Sequence, residues 1–93
     1  MKTTKRYFKT YNHLRFEKHS NSEWFNLQAR MNFRNGYGIS VINGEGANSG
    51  RDTYEIAVTY KGILTYRTPI TNDVLGYQTA EDVTKIMKQI QKL

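Results

Sequence analysis

The sequence predicts an α+β fold, an antiparallel meander sheet of four to five strands with one C-terminal helix packed on it. Three observations predict it. Apolar and polar residues alternate with a period of two through the middle of the chain. Two glycine-containing dipeptides, Asn35-Gly36 and Lys61-Gly62, separate alternating runs as hairpin turns do. From Thr79 onward the apolar residues change to a helical period.

Taken in order, His13 to His19 ("HLRFEKH") alternates with Leu14 and Phe16 on one face and reads as an edge strand, its charges discouraging edge-to-edge association. Trp24-Phe25 is expected to cap one end of the core. Asn26 to Phe33 is the clearest strand, placing Leu27, Ala29, Met31 and Phe33 on one face. Asn35-Gly36 predicts a two-residue turn because both positions tolerate positive φ. Tyr37 to Ile42 returns, with Tyr37, Ile39 and Val41 on one face. After the glycine-rich stretch "NGEGANSGR", Thr53 to Tyr60 alternates again, and Lys61-Gly62 turns it into a strand over Ile63 to Thr68 that Pro69 ends.

The helix follows from its caps and stripe. Thr79 suits the N-cap, Glu81 and Asp82 suit the positive end of the helix dipole, and Lys88 and Lys92 suit the negative end. Val83, Ile86, Met87, Ile90 and Leu93 form one apolar face.

The chain of 93 residues makes one domain, 1–93, with residues 1–11 a candidate for a flexible basic arm. Apolar residues are only 38% of the total, so the core must draw on the aromatic rings. With no cysteine, a disulfide framework and a thiolate metal site are excluded, and a reducing cytoplasm is the expected location. The basic start leads into no apolar run, so no secretory leader and no membrane span are expected. The net charge of +6 is concentrated at the start: residues 1–19 carry six cations (Lys2, Lys5, Arg6, Lys9, Arg15, Lys18) against Glu17, a balance of +5. Such a segment suits a phosphate backbone or an acidic protein face.

The segments "NGYGISVI", "YEIAV", "TPITNDVLGY" and "TAEDVTKIMKQI" together resemble a family of small uncharacterised phage and prophage proteins, over about Leu27 to Ile90. Members pair an Asn-Gly-Tyr-Gly hairpin (here Asn35 to Gly38) with a Thr-Pro-Ile-Thr-x-Asp-Val-x-Gly-Tyr connector (Thr68 to Tyr77) and a C-terminal helix. Two departures stand out. Relatives carry a more acidic segment where this chain has Gly44 to Arg51, and the basic arm before residue 20 is particular to this sequence. The resemblance brings no established activity. It implies a phage-like origin, and small phage accessory proteins often act by binding a host machine.

The glycine-rich stretch is read as a hairpin loop rather than a phosphate cradle. Its glycines at 44, 46 and 50 miss the dinucleotide spacing, no Lys-Ser/Thr pair follows, and it joins two strands. His13 and His19, six residues apart on a strand, are too distant to share a metal. A metal-independent nuclease would draw on Tyr54, Glu55, Lys61 and Arg67. In "KRYFKTYNHLRF" cations interleave with Tyr7, Phe8, Tyr11 and Phe16, rings that either stack on unpaired bases or pack into the core. Tyr37, Tyr54, Tyr60, Tyr66 and Tyr77 are many tyrosines for so small a domain, and one or two left exposed would serve as interface anchors.

The expected function is therefore a small cytoplasmic, phage-type, non-enzymatic binding protein with no cofactor and no metal. It would inhibit a host defence machine, for example as an anti-CRISPR protein, by docking on a protein or protein–nucleic-acid complex. The candidate partner-binding residues are Lys5, Arg6, Lys9, Arg15 and Arg51. One alternative is direct nucleic-acid binding through the same basic N-terminal segment, and a second is the small nuclease. No membrane partner is expected, and either an edge strand or the helix could form a dimer.

Overall fold

The computed structural model describes residues 7–18, 27–44, 49 and 52–93. The elements are β1 (Glu17–Lys18), β2 (Leu27–Asn32), β3 (Tyr37–Asn43), β4 (Tyr54–Tyr60), β5 (Ile63–Leu64), β6 (Leu75–Gln78) and α1 (Ala80–Gln91), with a 3-10 turn at Tyr11–His13. The sheet is antiparallel in the order β1-β2-β3-β4-β5, and β6 also pairs with β4. The fold is α+β, a meander sheet with one C-terminal helix.

The register explains which residues are buried. Ala29 lies opposite Val41, Met31 opposite Ile39, Ile39 opposite Val58 and Val41 opposite Ile56. Directly opposed residues share a face. That face meets α1, and the core is Ile39, Val41, Ile56 and Val58 from the sheet with Val83, Ile86, Met87 and Ile90 from the helix. Each such side chain contributes on the order of 1.5–3 kcal/mol on full burial, so the helix–sheet contact outweighs any single hydrogen bond. The reverse face is thin over the two central strands. Gly38, Ser40, Ala57 and Thr59 are buried there, and Gln28 reaches across to donate to Ser40 Oγ at 3.1 Å.

Four expectations need correction. The Asn35-Gly36 turn is not a two-residue turn with both residues at positive φ. Gly36 alone has positive φ (+89°), and the loop is closed by Gly36 N–H to Phe33 O and Phe33 N–H to Tyr37 O. That is a type I turn followed by a glycine bulge. The two-residue form occurs instead at Lys61-Gly62, where φ is +52° and +84°. Among the described residues of the edge strand expected over His13 to His19, Glu17–Lys18 alone pair in the sheet, because Tyr11–His13 turns and the chain is held on the helix; Leu14 and Phe16 still pack against the core.

The strand from Ile63 stops at Leu64, before Pro69. Thr65 N–H still reaches Val58 O, and the chain then leaves the sheet. The side chains of Thr68, Thr71 and Asp73 hold it out by taking the N–H groups of Ile70, Asp73 and Val74 respectively. Such local bonds compete with a strand ladder. The connector rejoins β4 as β6, an element the sequence reading did not contain. Finally, Leu93 falls beyond the helix end and is 38% exposed, so the apolar stripe closes at Ile90.

Candidate functional site

Four of the five candidate partner-binding residues, Lys5, Arg6, Lys9 and Arg15, belong to the N-terminal segment. Lys9 N–H donates to Gln91 Oε1 (2.9 Å) and Gln91 Nε2 returns a bond to Lys9 O (2.8 Å). Tyr11 N–H donates to Thr84 Oγ1 (3.0 Å). Residues 9–11 therefore run as a strap along one flank of α1. Tyr11, Phe16 and Tyr54 then form an aromatic triad with ring centroids 5.5–5.8 Å apart, and the Tyr11 and Tyr54 hydroxyls hydrogen-bond. Burial, followed by that bond, the Tyr11 charge and the Asp52 carboxylate, pushes the Tyr54 phenol up to about 12. Of the four rings in the basic segment, Tyr11 and Phe16 are spent on the core, Phe8 is half-buried beside Lys92, and Tyr7 is 82% exposed.

Lys9 and Arg15 both have exposed side chains in this segment. Lys5, Arg6 and Arg51 lie outside the described residues, as do His19, Trp24 and Phe25. His13 has a local role, its Nδ1 accepting the Thr10 N–H at 3.0 Å.

Of the residues considered for nuclease chemistry, Tyr54 and Glu55 lie in β4 and Lys61 in the turn that follows it. Glu55 and Lys61 are six residues apart along one extended chain, or roughly 20 Å. The glycine-rich loop joins β3 to β4, as its reading required, and Asn43 and Ser49 close its base by bonds to Thr53 O and Gly44 N–H. The nearby N-terminus of α1 is already capped. Thr79 Oγ1 accepts the Asp82 N–H, and Asp82 Oδ2 accepts the Thr79 N–H. These bonds, first the one from the Thr79 backbone, hold the Asp82 carboxyl below its ordinary range. Its carboxylate fills the place an anionic ligand would take. Among the described residues no group of three or more His, Cys, Asp or Glu is arranged to hold a metal, and no helix is long and apolar enough to cross a membrane.

What the fold does expose is the β4–β5 hairpin. Ile63 is 73% exposed, Leu64 48%, Tyr66 44% and Tyr60 40%. Tyr60 and Ile63 are a cross-strand pair on the helix side, while Leu64 pairs with Thr59 on the reverse side, so apolar groups flank both sides of this edge. Cations rim it. Lys61 Nζ sits 5.4 Å from the Tyr60 ring centroid, and Arg30 Nη2 contacts Gly62 O at 3.4 Å. Arg67 is exposed three residues beyond β5. Among the described acids, Asp52 and Glu55 belong to the opposite end of β4, Glu81 and Asp82 to the helix N-terminus and Glu17 to β1, whereas Asp73 lies in the connector between β5 and β6.

Of the five tyrosines proposed as anchors, Tyr60, Tyr66 and Tyr77 are exposed, and Tyr37 and Tyr54 pack against the core. The sequence reading missed Ile63 and Leu64 as an exposed surface, because Ile63 to Thr68 reads as the last strand of the meander. The signal was the Thr-Pro-Ile-Thr run at its end, whose side chains pull the chain off the ladder. Comparison with protein-family models, with curated proteins and with solved structures finds no match to this chain.

Proposed function

We propose that the chain is a small binding protein without catalytic activity, and that it docks on another protein through the β4–β5 hairpin. The observation that carries this reading is the exposed group Tyr60, Ile63, Leu64 and Tyr66 on a two-residue edge strand. Exposed apolar clusters of this kind mark interaction sites, and tyrosine and arginine are the residues that anchor them. The rim of Arg30, Lys61 and Arg67 selects a partner whose apolar pocket is bordered by carboxylates.

The likeness to small phage and prophage proteins extends the proposal to the kind of partner, a host machine that the protein inhibits from the cytoplasm. A bacterial defence complex, with the chain acting as an anti-CRISPR protein, is the leading example. The basic set Lys5, Arg6, Lys9, Arg15 and Arg51 would then add a second, electrostatic contact with such a complex.

The test is affinity capture from nuclease-treated host lysate with the native chain and with an I63S/L64S variant, alongside measurement of native mass. Both substituted side chains are exposed, so the fold should survive the change. A partner that withstands nuclease and is lost with the variant is the expected result. Equal capture by both forms would overturn the assignment of the hairpin. A native dimer that I63S/L64S dissociates would show that the edge is covered by a second copy.

A further inference from the structure

A second surface of different chemistry lies on the outer face of α1. Lys85, Lys88 and Lys92 are all exposed and fall within one stripe, separated along the axis by about 4.5 and 6 Å at 1.5 Å per residue. The strap brings Lys9 alongside through its bonds with Gln91, and Phe8 beneath Lys92 at 5.5 Å. The next residue, Tyr7, is 82% exposed. Glu81 and Asp82 moderate only the Lys85 end, which lies one turn away.

We infer that this ridge binds the phosphate backbone of single-stranded nucleic acid, with the Tyr7 ring stacking on an unpaired base. Four cations along a row complement a polyanion. A lipid surface is disfavoured by geometry: an interfacial helix must insert its apolar face, and here Val83, Ile86, Met87 and Ile90 are buried against the sheet. Reading a duplex groove needs a protruding helix. Here α1 has the sheet beneath it and the strap on one flank, and its lysines stand exposed on the outer stripe. A row of cations ending in an exposed ring is instead the arrangement that follows an unpaired strand. The site differs in position from the hairpin and does not rest on the docking proposal.

The test is fluorescence anisotropy of a labelled mixed-sequence single-stranded oligonucleotide across a salt series, using the full chain. The variants are K85Q/K88Q/K92Q, which keeps strong helix formers, and Y7A at an exposed position, each checked for native circular dichroism. The native chain should bind with log affinity falling linearly in log salt. The triple variant should reduce that slope by about 2, three contacts at roughly 0.7 each for single strands. Y7A should weaken binding at least about fivefold without changing the slope. No binding at low salt would overturn the inference. So would an unchanged slope in the triple variant, tighter binding of the matching duplex, or equal competition by polyglutamate, which would point to an acidic protein.

Discussion

The side-chain amide of Asn35, in the β2–β3 turn, donates to the main-chain carbonyl of Ile90 near the end of α1, across 2.9 Å. The same nitrogen lies 3.3 Å from Leu93 O, and Asn35 Oδ1 accepts the Tyr37 N–H at 3.1 Å. One side chain thus closes the turn and gives Ile90 O, near the helix end, a second donor beside the Leu93 N–H. Asn35→Ala should cost about 0.5–1.5 kcal/mol in urea unfolding for each bond lost, the net value of a typical hydrogen bond, since Ile90 O keeps the Leu93 N–H. Asn35→Asp keeps the acceptor for Tyr37 yet should be no better, because it cannot donate and sets a negative charge at the negative end of the dipole.

Gly38 is fixed by space rather than by φ. A Cβ there would lie 2.5 Å from Met31 O, 2.6 Å from Thr59 Oγ1 and 2.7 Å from Asn32 Oδ1. The first is backbone and cannot rotate away. Gly38→Ala should therefore destabilise by about 1–3 kcal/mol or more, the cost of overpacking. Gly62→Ala meets no atom within 4 Å, carries only the strain of φ +84°, and should cost about 1–2 kcal/mol. Thermal midpoints of the two variants would show the order.

These two residues also show what the sequence could and could not reveal. The period of two in β2 to β4 and the helical stripe from Val83 to Ile90 were legible, because burial on one face leaves a periodic record in residue type. Asn35-Gly36 was legible as a turn but not as the right turn. Asn35 also reaches the end of a helix that begins forty-five residues later, a tertiary contact with no local trace. β6 and the exposed hairpin were hidden for a related reason. The side-chain bonds of Thr68, Thr71 and Asp73 divide an edge strand into β5 and β6, and hydrophobic alternation is blind to them.

Tyr77 holds φ +54° in β6 while its side chain is 65% exposed. A left-handed backbone costs an L-residue roughly 1–2 kcal/mol that glycine avoids. Glycine gives part of this back through the entropy of the unfolded chain. Tyr77→Gly should be neutral or stabilising by up to about 1 kcal/mol, whereas Tyr77→Ala should not be stabilising. Chemical denaturation of the pair provides the check.

The capping box sets an acid limb to stability. Asp82 has its pKa lowered by the Thr79 bonds, so the folded state favours the carboxylate. The contribution is present above the ordinary carboxylate range and is lost as pH falls through the depressed folded value. Asp82→Asn should flatten this limb in a series of thermal midpoints against pH. Thr79→Ala should cost about 1 kcal/mol near neutrality, the usual value of an N-cap side chain.

At the alkaline side Tyr54 supplies the opposite sign. Its folded pKa of about 12 lies above the ordinary 10.0, so the neutral phenol is favoured in the native state. Its contribution is complete below pH 10 and is lost as pH rises between about 10 and 12. Phenolate absorbance should show one tyrosine titrating late. Tyr11→Phe, which removes the hydroxyl bond, should bring that step down toward the ordinary value.

The β4–β5 hairpin is the surface proposed to meet a partner protein. The most direct measurement is photo-crosslinking in host cells, with a photoreactive residue at position 63 and, for comparison, at position 81 on the acidic helix end. A discrete protein adduct is expected from position 63, absent from position 81 and lost when Arg67 is changed to glutamate. Adducts of equal yield from both positions, or from position 81 alone, would contradict the proposal.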